Sequence, residues 1–192
     1  MNTLKYSHLQ VSHAGRGEAK RLVIKTCGAR VAHKVRLIDN EKDLSKYILF
    51  DCGIVNYLLN GSELLKSKIP LNNLSILYET FVGCEIISQL KTRDDLCYWK
   101  SGNKAELEFV LRSPFLLGID VKSGKKGSLN SLNSFAIFEK NAKLLIQIGD
   151  FPPYFNTNYI ASLPNAIGKQ KISFMKLPHY MSANILQILW NL

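Results

Sequence analysis

Three short extended segments in close succession place the strongest limit on the fold of this chain. They are LCYWK (96–100), AELEFVL (105–111) and FLLGIDVK (115–122), and their aromatic and branched apolar residues are typical of strands. Ser-Gly-Asn follows the first segment and Arg-Ser-Pro follows the second, so both connections are short turns. Strands joined so tightly pair antiparallel, and the sequence therefore predicts a three-stranded antiparallel unit.

Two predicted helices and a further strand surround this unit. Residues 74–91 are the longest periodic segment, with Leu74, Tyr78 and Phe81 on one stripe, which predicts a helix packed on a core. After the unit, SLNSLNSFAIFEKN (128–141) is amphipathic and KLLIQIG (143–149) suits an interior strand. The order of helix, three strands, helix and strand predicts a mixed α/β domain.

The remaining segments give shorter predictions. They are a helix over 17–27, strands over 31–38, 47–51 and 171–177, helices over 52–61 and 181–192, and a loop over 151–159. A helix followed by a basic strand is half of a winged helix, and the first sixteen residues are too few and too polar to complete it. We therefore expect a partial winged-helix-like basic segment over 1–40 and the main domain over 41–192.

The positive charge is concentrated near the start of the chain. Of the formal net charge of +10, residues 1–36 carry eight Lys or Arg against one acid, which leaves +3 for the remainder. Lys20, Arg21 and Lys25 belong to this segment, and such a cluster attracts nucleic-acid phosphates. A solvated basic face and a tail that binds an acidic partner explain the same charge equally well.

Several classes of protein are disfavoured. No apolar stretch is long enough to span a bilayer and no signal peptide is present, which predicts a cytoplasmic protein that does not associate with membranes. The four cysteines and four histidines are scattered without zinc-ligand spacing, so we expect reduced, mostly buried thiols.

Charged residues interrupt the predicted strands in a regular pattern. Alternation puts Glu106 and Glu108 on one face of their strand, with Val110 beside them and Leu107, Phe109 and Leu111 on the other. In the next strand it puts Asp120 and Lys122 on one face, opposite Ile119 and Val121.

Pairing of these two strands would bring Glu108 and Asp120 together, with Lys122 nearby. Carboxylates of this kind hold Mg²⁺, and a metal with a lysine supplies what phosphodiester cleavage requires. The bland alternative is that charged residues mark the point where a strand reaches solvent. Glu79 and Glu85 also interrupt the apolar helix, where a carboxylate is costly unless it has a partner.

Residues from about 30 to 190 resemble a known family. The similar segments, in order, are ARVAHKV (29–35), ILFDCGIVNYLLNG (48–61), LYETFVGCEI (77–86), YWKSGNKAELEFVL (98–111) and GIDVKSGKK (118–126). They resemble the C-terminal domain of unknown function that follows the ATPase module in predicted prokaryotic AAA+ ATPases. The resemblance implies a PD-(D/E)xK, restriction-endonuclease-like fold, with a mixed sheet flanked by helices.

The resemblance also implies a catalytic set. It makes Glu79 the helix carboxylate, Glu108 the first strand acid, and Asp120 with Lys122 the (D/E)xK pair, with Glu108 and Asp120 holding Mg²⁺. This chain departs from the family pattern, because it has Glu108 where Asp is usual and Asp120 where Glu is usual. The negative charge is retained while the side-chain lengths are exchanged.

A second departure is the absence of any GxxxxGK[ST] motif, so no P-loop nucleotide site is expected. The chain then resembles a detached C-terminal portion of such an ATPase, and a separate ATPase chain is an expected partner. Three functions stay open: a Mg²⁺-dependent nuclease-like domain that acts on DNA, a non-catalytic DNA- or protein-binding module, and an inactive remnant. In the second, Lys125 and Lys126 join the basic segment in contacting phosphates.

Overall fold

The computed structural model describes residues 32–37, 45–60, 71–92, 95–101, 105–124, 127–163 and 168–192. These residues form eight strands, four α-helices and one 3-10 helix. The strands are β1 (Ala32–Leu37), β2 (Ser45–Leu49), β3 (Leu96–Ser101), β4 (Ala105–Leu111), β5 (Leu117–Val121), β6 (Leu144–Gly149), β7 (Tyr154–Ser162) and β8 (Lys169–Pro178). The helices are α1 (Cys52–Asn60), α2 (Leu71–Gln89), α3 (Asn130–Phe138) and α4 (Ile185–Trp190), and the 3-10 helix is His179–Asn184.

All the described strands belong to one mixed sheet in the order β2-β1-β3-β4-β5-β6-β8-β7. β4 pairs antiparallel with both β3 and β5, which confirms the predicted three-stranded unit. β5, β6 and β8 run parallel. Helix α3 provides the connection between β5 and β6, because parallel neighbours require a crossover.

Helices cover both faces of the sheet. On one, the α2 face, Val82 and Ile86 of α2 pack in a core cluster with Ile119 of β5. On the other, the α3 face, Leu132 and Phe135 belong to a second core cluster. The predicted α/β class, a mixed sheet flanked by helices, is confirmed, and this architecture is compatible with a restriction-endonuclease-like fold.

A bulge in β4 changes which side chains share a face. Trp99 of β3 pairs with Leu107 of β4, and Cys97 of β3 pairs with Val110 of β4. These paired positions are two residues apart in β3 and three residues apart in β4, so β4 contains one extra residue. The extra residue resets the alternation of side chains along β4. Leu107 and Val110 therefore both pack on the α3 face, while Phe109 packs on the α2 face.

The predicted division of β4 is wrong because it assumed an uninterrupted strand. Leu107 does not share a face with Phe109 and Leu111, since the bulge separates them. Val110 and Glu106 do not share a face either. Val110 packs on the α3 face, whereas Glu106 is paired with Lys46, whose ammonium lies over the Tyr98 ring of the α2-face core.

Two further differences concern the C-terminal third. The loop predicted over 151–159 is wrong from Tyr154 onward, where β7 begins. The signal was missed because most β7 side chains are exposed and several are polar, so the strand depends on pairing with β8. The predicted strand over 171–177 is confirmed within β8, and the predicted final helix divides into the 3-10 helix and α4.

The N-terminal predictions are only partly covered by the described residues. The strand predicted over 31–38 is confirmed as β1, which pairs with β2 and β3 in the main sheet. The helix predicted over 17–27 lies outside the described residues, and the boundary at residue 40 stays a prediction. Among the described helices, none combines the length and apolar composition that crossing a bilayer requires.

Three of the four cysteines lie within the described residues, and none of these three is part of a disulfide. Cys97 is buried, while Cys52 and Cys84 are partly exposed, so "mostly buried" is too strong for these three. Cys27 lies outside the described residues.

The approach of α3 to β5 gives a prediction about stability. A Cβ at Gly118 would lie 2.7 Å from Cδ1 of Phe135 and 2.8 Å from Cδ1 of Leu107, whereas one at Gly124 would meet nothing within 4 Å. We expect Gly118→Ala to lower the free energy of unfolding by about 1–3 kcal/mol, because the core cannot take the methyl group without shifting. Urea unfolding measures this change.

Gly124→Ala is the matched control, and its free energy of unfolding should stay within about 0.5 kcal/mol of the wild type. Equal effects of the two substitutions would contradict the close packing of α3 on β5.

Candidate functional site

Glu108 lies where β4 and β5 part. The ladder between the two strands runs from Leu111 and Leu117 to Phe109 and Ile119. At the next position the Glu108 carboxylate enters between the strands, and its Oε2 accepts a hydrogen bond of 3.2 Å from the backbone N–H of Val121. The bulge in β4 ends the regular ladder on one side of Glu108 and so leaves room for this side chain.

Asp120 carries the most deeply buried carboxylate of the site, with 1% of the residue exposed. Its Oδ1 accepts a hydrogen bond of 2.7 Å from the Lys122 ammonium, and its Oδ2 accepts one of 3.2 Å from Nε2 of Gln147. A buried charge is tolerated only when it is paired and hydrogen-bonded. Lys122 and Gln147 therefore stabilise a carboxylate that the sheet interior would otherwise disfavour.

Lys122 is positioned by contacts from three elements. Its backbone N–H donates to the carbonyl oxygen of Ile148 in β6, at 2.7 Å. Its carbonyl oxygen lies 2.7 Å from Nε2 of His179, whose ring stacks on Tyr78 of α2 with centroids 3.9 Å apart. The backbone of Lys122 is thus fixed, while its ammonium stays partly exposed at the surface of the cluster.

A second charged group lies on the α2 face. Lys46 of β2 forms an ion pair with Glu106, and its ammonium lies 5.2 Å from the centre of the Tyr98 ring. Although partial burial opposes the charged form, the carboxylates of Glu106, Glu79 and Glu108 raise the pKa of Lys46. Lys46 therefore balances part of the negative charge on this side of the sheet, and the ammonium of Lys100 lies 4.0 Å from the Glu106 carboxylate as well.

Glu79 of α2 interacts electrostatically with two ion pairs, Lys46 with Glu106 and Lys122 with Asp120. Burial raises the pKa of Glu79, and Glu106 and Asp120 raise it further, against the opposing effect of Lys46 and Lys122. The charges of Lys46 and Lys122 therefore offset only part of the cost of burying this acid in the apolar helix.

The carboxylate of Glu108 has a strongly raised pKa. Burial raises its pKa to about 8, with further contributions from the negative charges of Asp120 and Glu79, against Lys46 and its own backbone hydrogen bond. Adjacent carboxylates cannot all ionise without compensation. Glu108 therefore holds a proton at neutral pH unless a cation is supplied.

The carboxylate oxygens of Glu108 and Asp120 are the type of ligand that a hard divalent cation prefers. They come from neighbouring strands, and the negative charge of Asp120 adds to burial in raising the pKa of Glu108. Within the described ranges, no three Asp, Glu, His or Cys side chains are grouped closely enough to form a preassembled metal site. The chemistry of the donors fits Mg²⁺.

Lys122 donates a direct hydrogen bond to Asp120, and Glu108 accepts one from the backbone N–H of Val121, the residue between them. Glu108 and Glu79 interact electrostatically with Asp120. The predicted nucleic-acid-binding residues lie outside the described residues; they are Lys20, Arg21, Lys25, Lys125 and Lys126.

Three residues of the site were not predicted from the sequence, namely Lys46, Gln147 and His179. Gln147 had a usable signal, because it is the one uncharged polar side chain inside the apolar segment LLIQIG. Lys46 and His179 had none, since each comes from a segment distant in sequence.

These features define a mixed α/β domain in which a buried carboxylate and a partly exposed lysine are paired at one end of the central strands. Residues 75–166 match the model of a family described as Domain of unknown function (DUF4143). The matched region contains Glu79, Glu108, Asp120 and Lys122, and similarity to a domain of unknown function is thereby confirmed for this part of the chain. No curated protein and no solved structure matches the chain.

The raised pKa of Glu108 predicts a specific dependence of stability on pH. The folded protein keeps a proton on Glu108 up to about pH 8, whereas an unfolded glutamate releases it near 4.5. In metal-free buffer this contribution is complete below about 4.5, and the free energy of unfolding then falls as pH rises to about 8. The slope from one proton is at most about 1.4 kcal/mol per pH unit.

Glu108→Gln mimics the protonated side chain, so we expect this part of the slope to disappear in urea unfolding across the same pH range. Glu85→Gln, the same change at a glutamate of helix α2 outside the carboxylate cluster, should keep the wild-type slope. A Glu108→Gln variant with the full wild-type slope would show that Glu108 is ionised in the folded protein.

Proposed function

We propose that this chain is a divalent-metal-dependent, nuclease-like domain that acts on DNA. One observation carries the proposal: carboxylates from two neighbouring strands converge where those strands part, with a lysine ion-paired to one of them. The carboxylates are those of Glu108 and Asp120, and the lysine is Lys122. The spacing of these groups and the resemblance of the surrounding segments to PD-(D/E)xK domains support the same chemistry.

Each residue has a role that follows from its environment. Glu108 and Asp120 would hold Mg²⁺, which supplies charge neutralisation at the phosphate and an activated water when bound. Lys122 presents a partly exposed ammonium beside Asp120 and would stabilise negative charge on the phosphate. Glu79 of α2, which interacts electrostatically with Asp120 and Lys122, would accept a hydrogen bond from water.

We also propose two partners for this chain, DNA and a separate ATPase chain. The basic segment that contains Lys20, Arg21 and Lys25, together with Lys125 and Lys126 after β5, would contact phosphates of the DNA. A separate AAA+ ATPase chain is a proposed protein partner, and the cytoplasm is the proposed location, on the basis of the resemblance and the sequence.

A second function, a non-catalytic DNA- or protein-binding module, is favoured by a different observation. Both oxygens of Asp120 and one of Glu108 already accept hydrogen bonds from protein donors. A hydrogen-bonded network of this kind makes the core specific without any reaction. The two functions differ in whether the cluster hydrolyses a phosphodiester bond.

Plasmid cleavage tests the proposed function. With Mg²⁺ or Mn²⁺, the wild type should nick supercoiled DNA, and Asp120→Asn and Lys122→Gln should each slow nicking by roughly 100-fold or more. Both substitutions retain a hydrogen-bonding group at the altered position, so the network is disturbed as little as possible. Thermal unfolding verifies that the variants fold.

Lys143→Gln is the charge-matched control, because Lys143 is exposed at the opposite end of β5 and β6, and it should cleave at the wild-type rate. Nicking that persists equally in all variants would identify a contaminant. DNA binding without nicking by the wild type would overturn the nuclease proposal in favour of the binding module.

A further inference from the structure

A row of side chains crosses the α3 face from the cluster to the edge of the sheet. The strand register places Asp120 beside Gln147, Gln147 beside Lys176, and Lys176 beside Tyr154. Neighbouring strands are about 4.8 Å apart, so the Cα atom of Lys176 lies about 10 Å from that of Asp120. Tyr154 belongs to β7, which ends the described sheet.

Lys176 is the cation of this row. Phe174, two residues earlier in β8, belongs to the α3-face core, so alternation puts Lys176 on the same face. Its ammonium lies 5.2 Å from the centre of the Phe151 ring, and no described carboxylate forms an ion pair with it. Lys176 is therefore held in place by an aromatic ring and keeps its charge available.

Two aromatic rings flank this cation. The Phe151 ring packs directly over Gly149, where any Cβ would overlap it. The Tyr154 ring is supported by Phe174, with centroids 6.4 Å apart, while Tyr154 is 50% exposed. Both rings are thus fixed from below, and Tyr154 has an open side.

We propose that Lys176, Phe151 and Tyr154, which we term the α3-face strip, bind a single strand of nucleic acid and lead it to the carboxylate cluster. A cation between supported aromatic rings matches the alternating phosphates and unpaired bases of a single strand. The bases of a duplex are stacked on one another and offer no free faces to such rings.

The separation within the row suits this occupant. About 10 Å between Lys176 and Asp120 corresponds to about three stacked nucleotides of one strand. Lys176 then holds a phosphate a few nucleotides from the bond at the cluster. Binding of a single strand to the α3-face strip does not depend on the proposed nuclease function. Only cleavage of the bound strand near Asp120 rests on that function.

Binding of a fluorescein-labelled oligothymidine, measured by anisotropy in EDTA, tests the strip. Lys176→Gln should weaken binding at least about threefold and lower the slope of log K against log salt by about one. Tyr154→Leu should weaken binding at least about fivefold, because a stacking surface is lost. Two variants from different strands keep the test valid if one fails to fold.

Each variant has a control on the opposite face of its own strand. Lys171 is exposed on β8 and differs in parity from Lys176, and Phe155 is the exposed neighbour of Tyr154 on β7. Lys171→Gln and Phe155→Leu should bind within twofold of the wild type if the strip is correct. Equal losses in the test and control variants would overturn the strip in favour of general charge attraction.

Other ligands give further decisive outcomes. Tighter binding of a blunt duplex than of oligothymidine would overturn the strip, as would no binding at all. Comparison with oligouridine assigns the strand to DNA or RNA, and tight binding of either supports the strip. EDTA removes metal chemistry from this experiment, so its failure is distinguishable from a failure of cleavage.

Discussion

Neutralisation of the Asp120 carboxylate is the constraint on which the rest of the site depends. This side chain is almost completely buried in the interior of a wide sheet, where an unpaired charge would cost several kcal/mol. Lys122 supplies the compensating charge and Gln147 supplies a hydrogen bond. Because Lys122 follows Asp120 by two residues and Gln147 lies on the neighbouring parallel strand, the pairing of β5 with β6 assembles the network. His179 then fixes the backbone that carries Lys122.

The bulge in β4 is the second determinant, because it brings an additional acid to the same place. Without it, Glu108 would continue the ladder instead of entering between β4 and β5. The result is an imbalance: Asp120 has its own cation, while Glu108 shares Lys46 with Glu106 and Glu79 and keeps a pKa near 8. A site with one acid paired and another protonated is prepared to exchange a proton for a cation. That property distinguishes a proposed metal site from a closed structural network.

Much of this arrangement could be predicted from local sequence signals. The short turns between β3, β4 and β5 set the antiparallel pairing, and Asp-x-Lys at a strand end placed Asp120 and Lys122 on one face. The bulge could not be predicted, because no proline or glycine marks it, and it depends on how Trp99 and Cys97 pack against β4. Long-range partners such as Lys46 were also out of reach, since residue type alone does not show which distant strand a lysine will join. Edge strand β7 was not predicted because its side chains are mostly exposed and lack the alternation of apolar and polar residues that is usual in a strand.

The proposed metal site consists of Glu108 and Asp120 at the fork between β4 and β5. Paramagnetic broadening of backbone amide signals by substoichiometric Mn²⁺ is the sharpest test of this site, because the effect is confined to the surroundings of the bound ion. We expect selective broadening at Val121, Lys122 and Gln147, reversed by excess Mg²⁺ and absent from a Glu108→Gln, Asp120→Asn variant. Broadening that is uniform, centred elsewhere, or unchanged in the variant would show that Glu108 and Asp120 do not bind the ion.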